Sequence, residues 1–183
     1  MTSSPTPPAL PETSPSAGQH LNLLRSLGLG APDPEFDKIA KELAEAAGVP
    51  YAMVNLFHPI TGEQLFVGLE SPTDTSLPPV GRSMPGDHGF CPEVVRRRKA
   101  LVLPDVFAHP RFAGNPVVDR IGIRTYAGAP LIHEPSDTVI GTVCFVGTSA
   151  LPLTTGKHSL ELIKERRDEL MNLVMRRSGP TAQ

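Results

Sequence analysis

The stretch Tyr51-Ala52-Met53-Val54-Asn55-Leu56-Phe57, followed by Pro59-Ile60-Thr61-Gly62 and then Gln64-Leu65-Phe66-Val67-Gly68-Leu69, decides the fold. Two short apolar runs separated by a Pro/Gly turn read as paired strands, and so tight a turn returns the chain antiparallel. Side chains alternate along a strand. Ala52, Val54 and Leu56 therefore share one face, and Tyr51, Met53, Asn55 and Phe57 share the other. Both faces are apolar enough to need a cover, and Asn55 is the only polar member of either.

Upstream, Leu21, Leu23, Leu24, Leu27 and Leu29 make a leucine-rich segment ended by Gly28 and Gly30, read as a short helix. A second helix has a clear start: Asp33 can cap, Pro34 suits the first helical position, and Phe36, Ile39, Ala40, Leu43 and Ala47 recur at helical spacing until Gly48. Downstream, Glu70 to Gly89 is rich in Pro, Ser, Thr and Gly. Loops longer than about 12–15 residues in compact domains are usually functional or mobile, so this one is a candidate lid.

Pro92–Arg98 reads as a short helix, Ala100–Leu103 as a strand, and Asn115-Pro116 as the cap and first turn of another brief helix. Thr125–Leu131 and Thr138–Val146 read as paired strands joined by the polar loop His133–Asp137. Thr155–Arg177 closes the chain as a long helix with Leu160, Ile163, Leu170, Leu173 and Val174 on its apolar arc. Strands joined by tight turns, with helices segregated beside them, define an α+β domain on an antiparallel sheet. The expected organisation is a disordered Pro/Ser/Thr-rich leader over residues 1–20, one domain over 21–177, and a disordered tail over 178–183.

Composition narrows the function. Of 183 residues 21 are proline, about twice the usual share, and many of them start helices, flank strands or stiffen the long loop. A net charge of -2 argues against a nucleic-acid binder, which needs a basic excess. Two cysteines exclude a disulfide framework, and neither has a partner at zinc-site spacing, so no metal is expected and reduced thiols in a cytosol are the simplest reading. The N-terminus lacks the basic and apolar regions of a signal peptide, and no apolar run reaches the roughly 18 residues of a membrane span. A cytoplasmic protein without membrane contact is expected.

Specific motifs follow in order: Gly89-Phe90-Cys91, then Ala100-Leu101-Val102-Leu103-Pro104-Asp105-Val106, then Arg111-Phe112-Ala113-Gly114-Asn115-Pro116-Val117-Val118. They continue with Ile123-Arg124-Thr125-Tyr126-Ala127-Gly128-Ala129-Pro130-Leu131 and close with Ile140-Gly141-Thr142-Val143-Cys144. In this order they resemble the GAF domain family of small sensory modules, over roughly Phe36 to Val174. The resemblance implies an antiparallel sheet of five or six strands with the terminal helices on one face. Short helices and loops would roof a ligand pocket on the other. It also implies signal transduction through a partner protein, since no effector domain is recognised in the sequence; the wide apolar arc of the closing helix separately suggests a homodimer through the terminal helices.

Asn55, Phe57, Phe66, Phe90, Cys91, Phe112 and Tyr126 are the expected lining of that pocket, for an unidentified small molecule. Cys91 is also the redox candidate. It stands near a helix start, with Arg96 to Lys99 and His88 close in sequence, against the plainer reading of a small buried residue. Cys144, between Val143 and Phe145, reads as structural. Asp105 reads as a turn residue, and the Arg96-Arg97-Arg98-Lys99 cluster as a solvated helix end.

The resemblance leaves the cofactor open. A haem would need an axial ligand, for which His88 or His109 could be named against the plainer reading of a polar surface or capping histidine, and neither the cyclic-nucleotide signature of some GAF domains nor the Asp-Xaa-Cys-Phe motif of some bilin-binding ones is found. Free methionine sulfoxide reductases are GAF enzymes with a cysteine near Cys91. Their nucleophile falls in the segment that here reads Arg111-Phe112-Ala113-Gly114-Asn115, which has no cysteine. The expectation is a non-enzymatic sensor of a small molecule or of redox state. The alternatives are an interaction module with a vestigial pocket and, behind it, a thiol-dependent reductase.

Overall fold

The computed structural model describes residues 16–74 and 76–179. Helices α1 (Ala17–Ser26) and α2 (Pro34–Ala47) lead into strands β1 (Tyr51–Phe57) and β2 (Gln64–Glu70). The long segment after β2 contributes a two-residue strand, β3 (Ser83–Met84), and is followed by α3 (Cys91–Arg97) and β4 (Leu101–Leu103). Two short helices, α4 (Pro110–Ala113) and α5 (Pro116–Ile121), precede strands β5 (Thr125–His133) and β6 (Thr138–Gly147), and α6 (Gly156–Ser178) closes the domain. The six strands form one sheet in the order β3-β2-β1-β6-β5-β4, and every neighbouring pair is antiparallel.

The helix starts follow their capping residues. Asp33 accepts from the Glu35 and Phe36 N–H groups, Pro34 occupies the first turn, and Gly48 ends α2 at φ 67°, a left-handed backbone that glycine adopts without steric cost. Ser16 and Gln19 form a reciprocal capping box at α1, with bonds of 3.2 and 2.8 Å. The expected disordered leader therefore gives up residues 16–20 to a capped helix, while its first fifteen residues lie outside the described ones. At the other end Ser178 belongs to α6, its hydroxyl bonded to the Val174 carbonyl at 2.9 Å, and residues 180–183 lie outside the described ones. The domain is thus longer at both ends than the expected 21–177.

The sheet separates two apolar clusters. On one face Ala52, Val54, Leu56, Ala127, Ala129, Val143 and Phe145 pack against Leu24 of α1, Phe36, Ile39 and Leu43 of α2, and Leu162, Ile163 and Leu170 of α6. Leu162, rather than the expected Leu160, faces the sheet in the first half of α6. Arg177 ties α6 to the start of α2, contacting Asp33 at 2.6 Å and also Glu35, with its guanidinium 5.2 Å from the Phe36 ring centre. On the other face Tyr51, Met53, Phe66, Tyr126, Cys144 and Val146 meet a roof of Phe90, Cys91 and Val94 from the α3 region and Val117, Val118 and Ile123 from α5 and the turn after it.

Candidate functional site

The roof-side face of β1, β2, β5 and β6 carries the chemistry. A bulge between Val54 and Asn55 sets Asn55 opposite Phe66, leaving Val67 as the extra residue of β2. Val67 packs on the helix side, whereas Phe66 joins the roof-side cluster. Asn55, wholly buried, donates from Nδ2 to Gln64 Oε1 at 2.7 Å. Gln64 in turn donates from Nε2 to the carbonyls of Pro85 and His88, at 2.8 and 2.7 Å. The next residue, Gly89, is clamped from the roof: its N–H donates to Asn115 Oδ1 at 2.9 Å and its carbonyl accepts from Asn115 Nδ2 at 2.8 Å. Two amide side chains, the buried Gln64 of the sheet and the half-buried Asn115 that caps α5, hold the turn that delivers Phe90 and Cys91.

Cys91 is the first residue of α3 and points down onto the sheet. Its sulfur lies 3.7 Å from Cys144 Sγ on β6 and 3.3 Å from Tyr126 Oη on β5. Cys144 Sγ is also 3.9 Å from Met53 Sδ on β1. All four side chains are at least nine-tenths buried. The two thiols share one titration. The Cys144 thiol and the Thr142, Tyr126 and Asn55 side chains stabilise a thiolate on Cys91, bringing it down to about 6 against the opposing cost of burial. The hydrogen bond to Cys91, then burial and the neighbouring charge, push Cys144 well above the ordinary thiol range, and burial raises Tyr126 as well. Cys144, read from sequence as a structural residue, is thus the direct neighbour of Cys91.

Of the expected pocket residues, Phe66, Phe90, Cys91 and Tyr126 border a common cavity, together with Met53, Gln64 and Cys144. The cavity holds about 30 Å³. Asn55 reaches it through Gln64; Phe57 and Phe112 are half-buried and pack at the edge of the cluster instead, Phe112 edge-on against Phe90 with ring centres 5.7 Å apart. Small-molecule sites usually measure about 300–1,000 Å³, so large aromatic side chains fill the room a ligand was expected to use. Among the described residues, Asn55 Oδ1 and the Thr142 hydroxyl are buried without a hydrogen-bond partner.

The remaining candidates sit elsewhere. The imidazole of His88 lies 3.9 Å from Asp87, and among the described residues it makes no hydrogen bond to either sulfur. Among those residues, no three His, Cys, Asp or Glu side chains stand together as a metal cluster. Asp105 is a turn residue, as expected: it accepts from the Phe107 N–H at 3.0 Å and pairs with Arg124 at 3.3 Å. In the basic cluster Arg96 pairs with Glu93 at 2.6 Å, and Arg98 closes α3 in a left-handed conformation while pairing with Asp137. An open groove of about 1390 Å³ lies between α6 and the α3–β5 edge, where Lys99, Lys164 and Arg167 flank Ile132 and Met171. No helix of the described residues is long and apolar enough to cross a membrane.

Comparison with known proteins places this architecture. No curated protein matches the chain. Among solved structures, a far-red cyanobacteriochrome photoreceptor superposes with a TM-score of 0.61 at 11% identity, over 87% of this chain and 93% of that one. The GAF domain of an Acinetobacter phosphoenolpyruvate-protein phosphotransferase gives 0.57 at 14% identity, over 86% and 90%. Free methionine-R-sulfoxide reductase from Neisseria meningitidis, in complex with its substrate, gives 0.51 at 19%, over 86% and 88%. At these identities the likeness is one of fold. The family model for the GAF domain matches residues 32–165, from the cap of α2 into α6, and the chain belongs to that family.

Proposed function

We propose that this GAF domain is a redox sensor whose input is the Cys91–Cys144 pair and whose output is the arrangement of the roof turn Pro85–Phe90. The observation that carries this reading is the 3.7 Å separation of the two sulfurs across the sheet–roof interface. A disulfide bond is about 2.05 Å long, so closing it brings the two sulfurs roughly 1.7 Å closer, through side-chain rotation and a shift of α3 against β6. Oxidation by a peroxide proceeds in two balanced steps. The Cys91 thiolate attacks one peroxide oxygen, the O–O bond breaks, and the hydroxide that leaves takes up a proton as water. Cys144 sulfur then attacks the resulting sulfenic sulfur; the S–S bond forms, the S–O bond breaks, and the departing hydroxide carries off the Cys144 proton as a second water.

The signal then passes through neighbours already fixed in place. Cys91 adjoins Phe90, and the preceding Gly89 and His88 are held by Asn115 and Gln64. Movement of Cys91 towards the sheet therefore loads these hydrogen bonds rather than dissipating in a loose loop. The small cavity supports this input over an organic ligand, because about 30 Å³ admits something near the size of one water molecule. A signalling partner protein would read the altered roof.

The test is peroxide treatment of the reduced native protein, followed by thiol counting, peptide mapping of the cross-link, and hydrogen exchange over residues 83–97. The expected result is loss of both thiols, a Cys91–Cys144 cross-link, and altered exchange in that segment. Thiols that persist under treatment that oxidises the unfolded chain, or a cross-link with unchanged roof exchange, would overturn the reading. The same sample incubated with free methionine sulfoxide and a thiol reductant tests the reductase alternative: turnover lost in Cys91→Ser would make the protein an enzyme.

A further inference from the structure

We propose that Met53, Cys91 and Cys144 form a binding site for a single soft monovalent metal ion, Cu(I), with two thiolates and one thioether as ligands. The three side chains come from β1, α3 and β6, and all border the 30 Å³ cavity. The sulfurs are spaced 3.7 Å from Cys91 to Cys144 and 3.9 Å from Cys144 to Met53. A metal with bonds to sulfur of about 2.3 Å, surrounded by three sulfurs in a plane, sets those sulfurs about 4.0 Å apart. Two sides of the sulfur triangle are thus within a few tenths of an ångström of that value, and all three side chains share the lining of the cavity.

Donor type and number select the ion. Thiolate and thioether are soft ligands that favour Cu(I). Zinc prefers four ligands drawn from Cys, His and carboxylates, and among the described residues no third such side chain joins the two cysteines. Binding releases two thiol protons to solvent and forms two copper–thiolate bonds and one thioether bond, leaving a single net negative charge in the site. The Tyr126 hydroxyl, 3.3 Å from Cys91 Sγ, is in place to donate to that sulfur and spread the charge. The inference shares its cysteines with the redox reading but not its chemistry, since bound Cu(I) caps the thiolates that oxidation would join, and Met53 is needed only for the metal.

The test is anaerobic titration of the reduced full chain with Cu(I) in competition with bicinchoninate, together with X-ray absorption at the copper edge. The expected result is one Cu(I) per chain, bound by three sulfurs at about 2.3 Å and not displaced by equimolar Zn(II). Met53→Leu, close in volume, is expected to reduce the shell to two sulfurs and weaken binding at least about tenfold, while still forming the peroxide-induced disulfide. Cys144→Ser is expected to abolish the site. A two-sulfur shell in the wild type, displacement by Zn(II), or wild-type affinity in Met53→Leu would overturn the proposal. The wild-type shell decides the matter even if a variant does not fold, and a disulfide forming in Met53→Leu while copper fails to bind the wild type would leave the redox reading standing alone.

Discussion

Cys144 approaches Cys91 to 3.7 Å across 53 residues of chain, so on the proposed redox reading the second thiol of the roof-side cluster is placed to act as the resolving partner. Removing it should trap the intermediate that it normally consumes. In Cys144→Ser, peroxide is expected to leave a sulfenic acid on Cys91 that dimedone labels, whereas the wild type shows little labelling because the disulfide forms first. Equal dimedone labelling of both proteins, measured by mass spectrometry, would show that Cys144 does not resolve the oxidised Cys91.

Gln64 ties the sheet to the roof turn Pro85–Phe90. It satisfies Asn55 on one side and the carbonyls of Pro85 and His88 on the other. Gln64→Leu leaves all three without that partner, and each buried polar group so orphaned costs about 1–3 kcal/mol unless water reaches it. The expected loss is about 2–4 kcal/mol in denaturant unfolding, with faster hydrogen exchange at residues 85–90 than in α2. Uniform exchange across both regions would mean that Gln64 supports the whole domain and not the turn in particular.

The elements of this domain were largely legible because their signals are local. Asp33-Pro34, Gly48, Asn115-Pro116 and the hairpin turn each announce a boundary in a few residues, and both faces of β1 follow from alternation. The capping pair Ser16 and Gln19 was equally local and marks where the leader ends. The site was legible only in part, because its key relationships are long-range. Cys144 looks like any small apolar strand residue until the β1–β6 and β5–β6 registers place it beside Met53 and below Cys91. Gln64 sits at the start of a strand, and only the fold of the loop after β2 brings Pro85 and His88 to its amide. The filling of the pocket depends on side-chain volumes meeting across the interface, which spacing along the chain does not encode.

Gly128 gives Tyr126 its place. A Cβ at position 128 would stand 2.1 Å from the Tyr126 hydroxyl oxygen and 2.7 Å from the ring carbon that bears it. Gly128→Ala is therefore expected to push the ring off Cys91 and to destabilise the domain by about 1–3 kcal/mol, as overpacking of a filled core does. Tyr126→Phe removes the closer of these two contacts, so adding it to Gly128→Ala should recover part of the loss. The double-mutant cycle measures this coupling, and additive effects would show that the ring does not depend on the missing side chain.

Asp37 links α2 to the roof loop through a titratable contact. Its carboxylate pairs with Arg82 at 2.8 Å and accepts the Leu69 N–H at 2.8 Å. The hydrogen bond from Arg82 is the largest influence on its pKa, and with the Leu69 bond it outweighs partial burial to hold Asp37 below the ordinary carboxylate range. A group whose pKa falls on folding adds stability above its unfolded value, about 3.9 for Asp, and loses that contribution as pH drops through the folded value. Both side chains are about one-third or more exposed, so solvent screens the pair and the gain at neutral pH should be no more than about 1 kcal/mol. Asp37→Asn is thus expected to lower the urea midpoint modestly near neutral pH and to converge with the wild type in acid. The same variant should speed exchange in the segment around Arg82. A midpoint difference that stays constant from neutral pH into acid would assign the effect to packing rather than to charge.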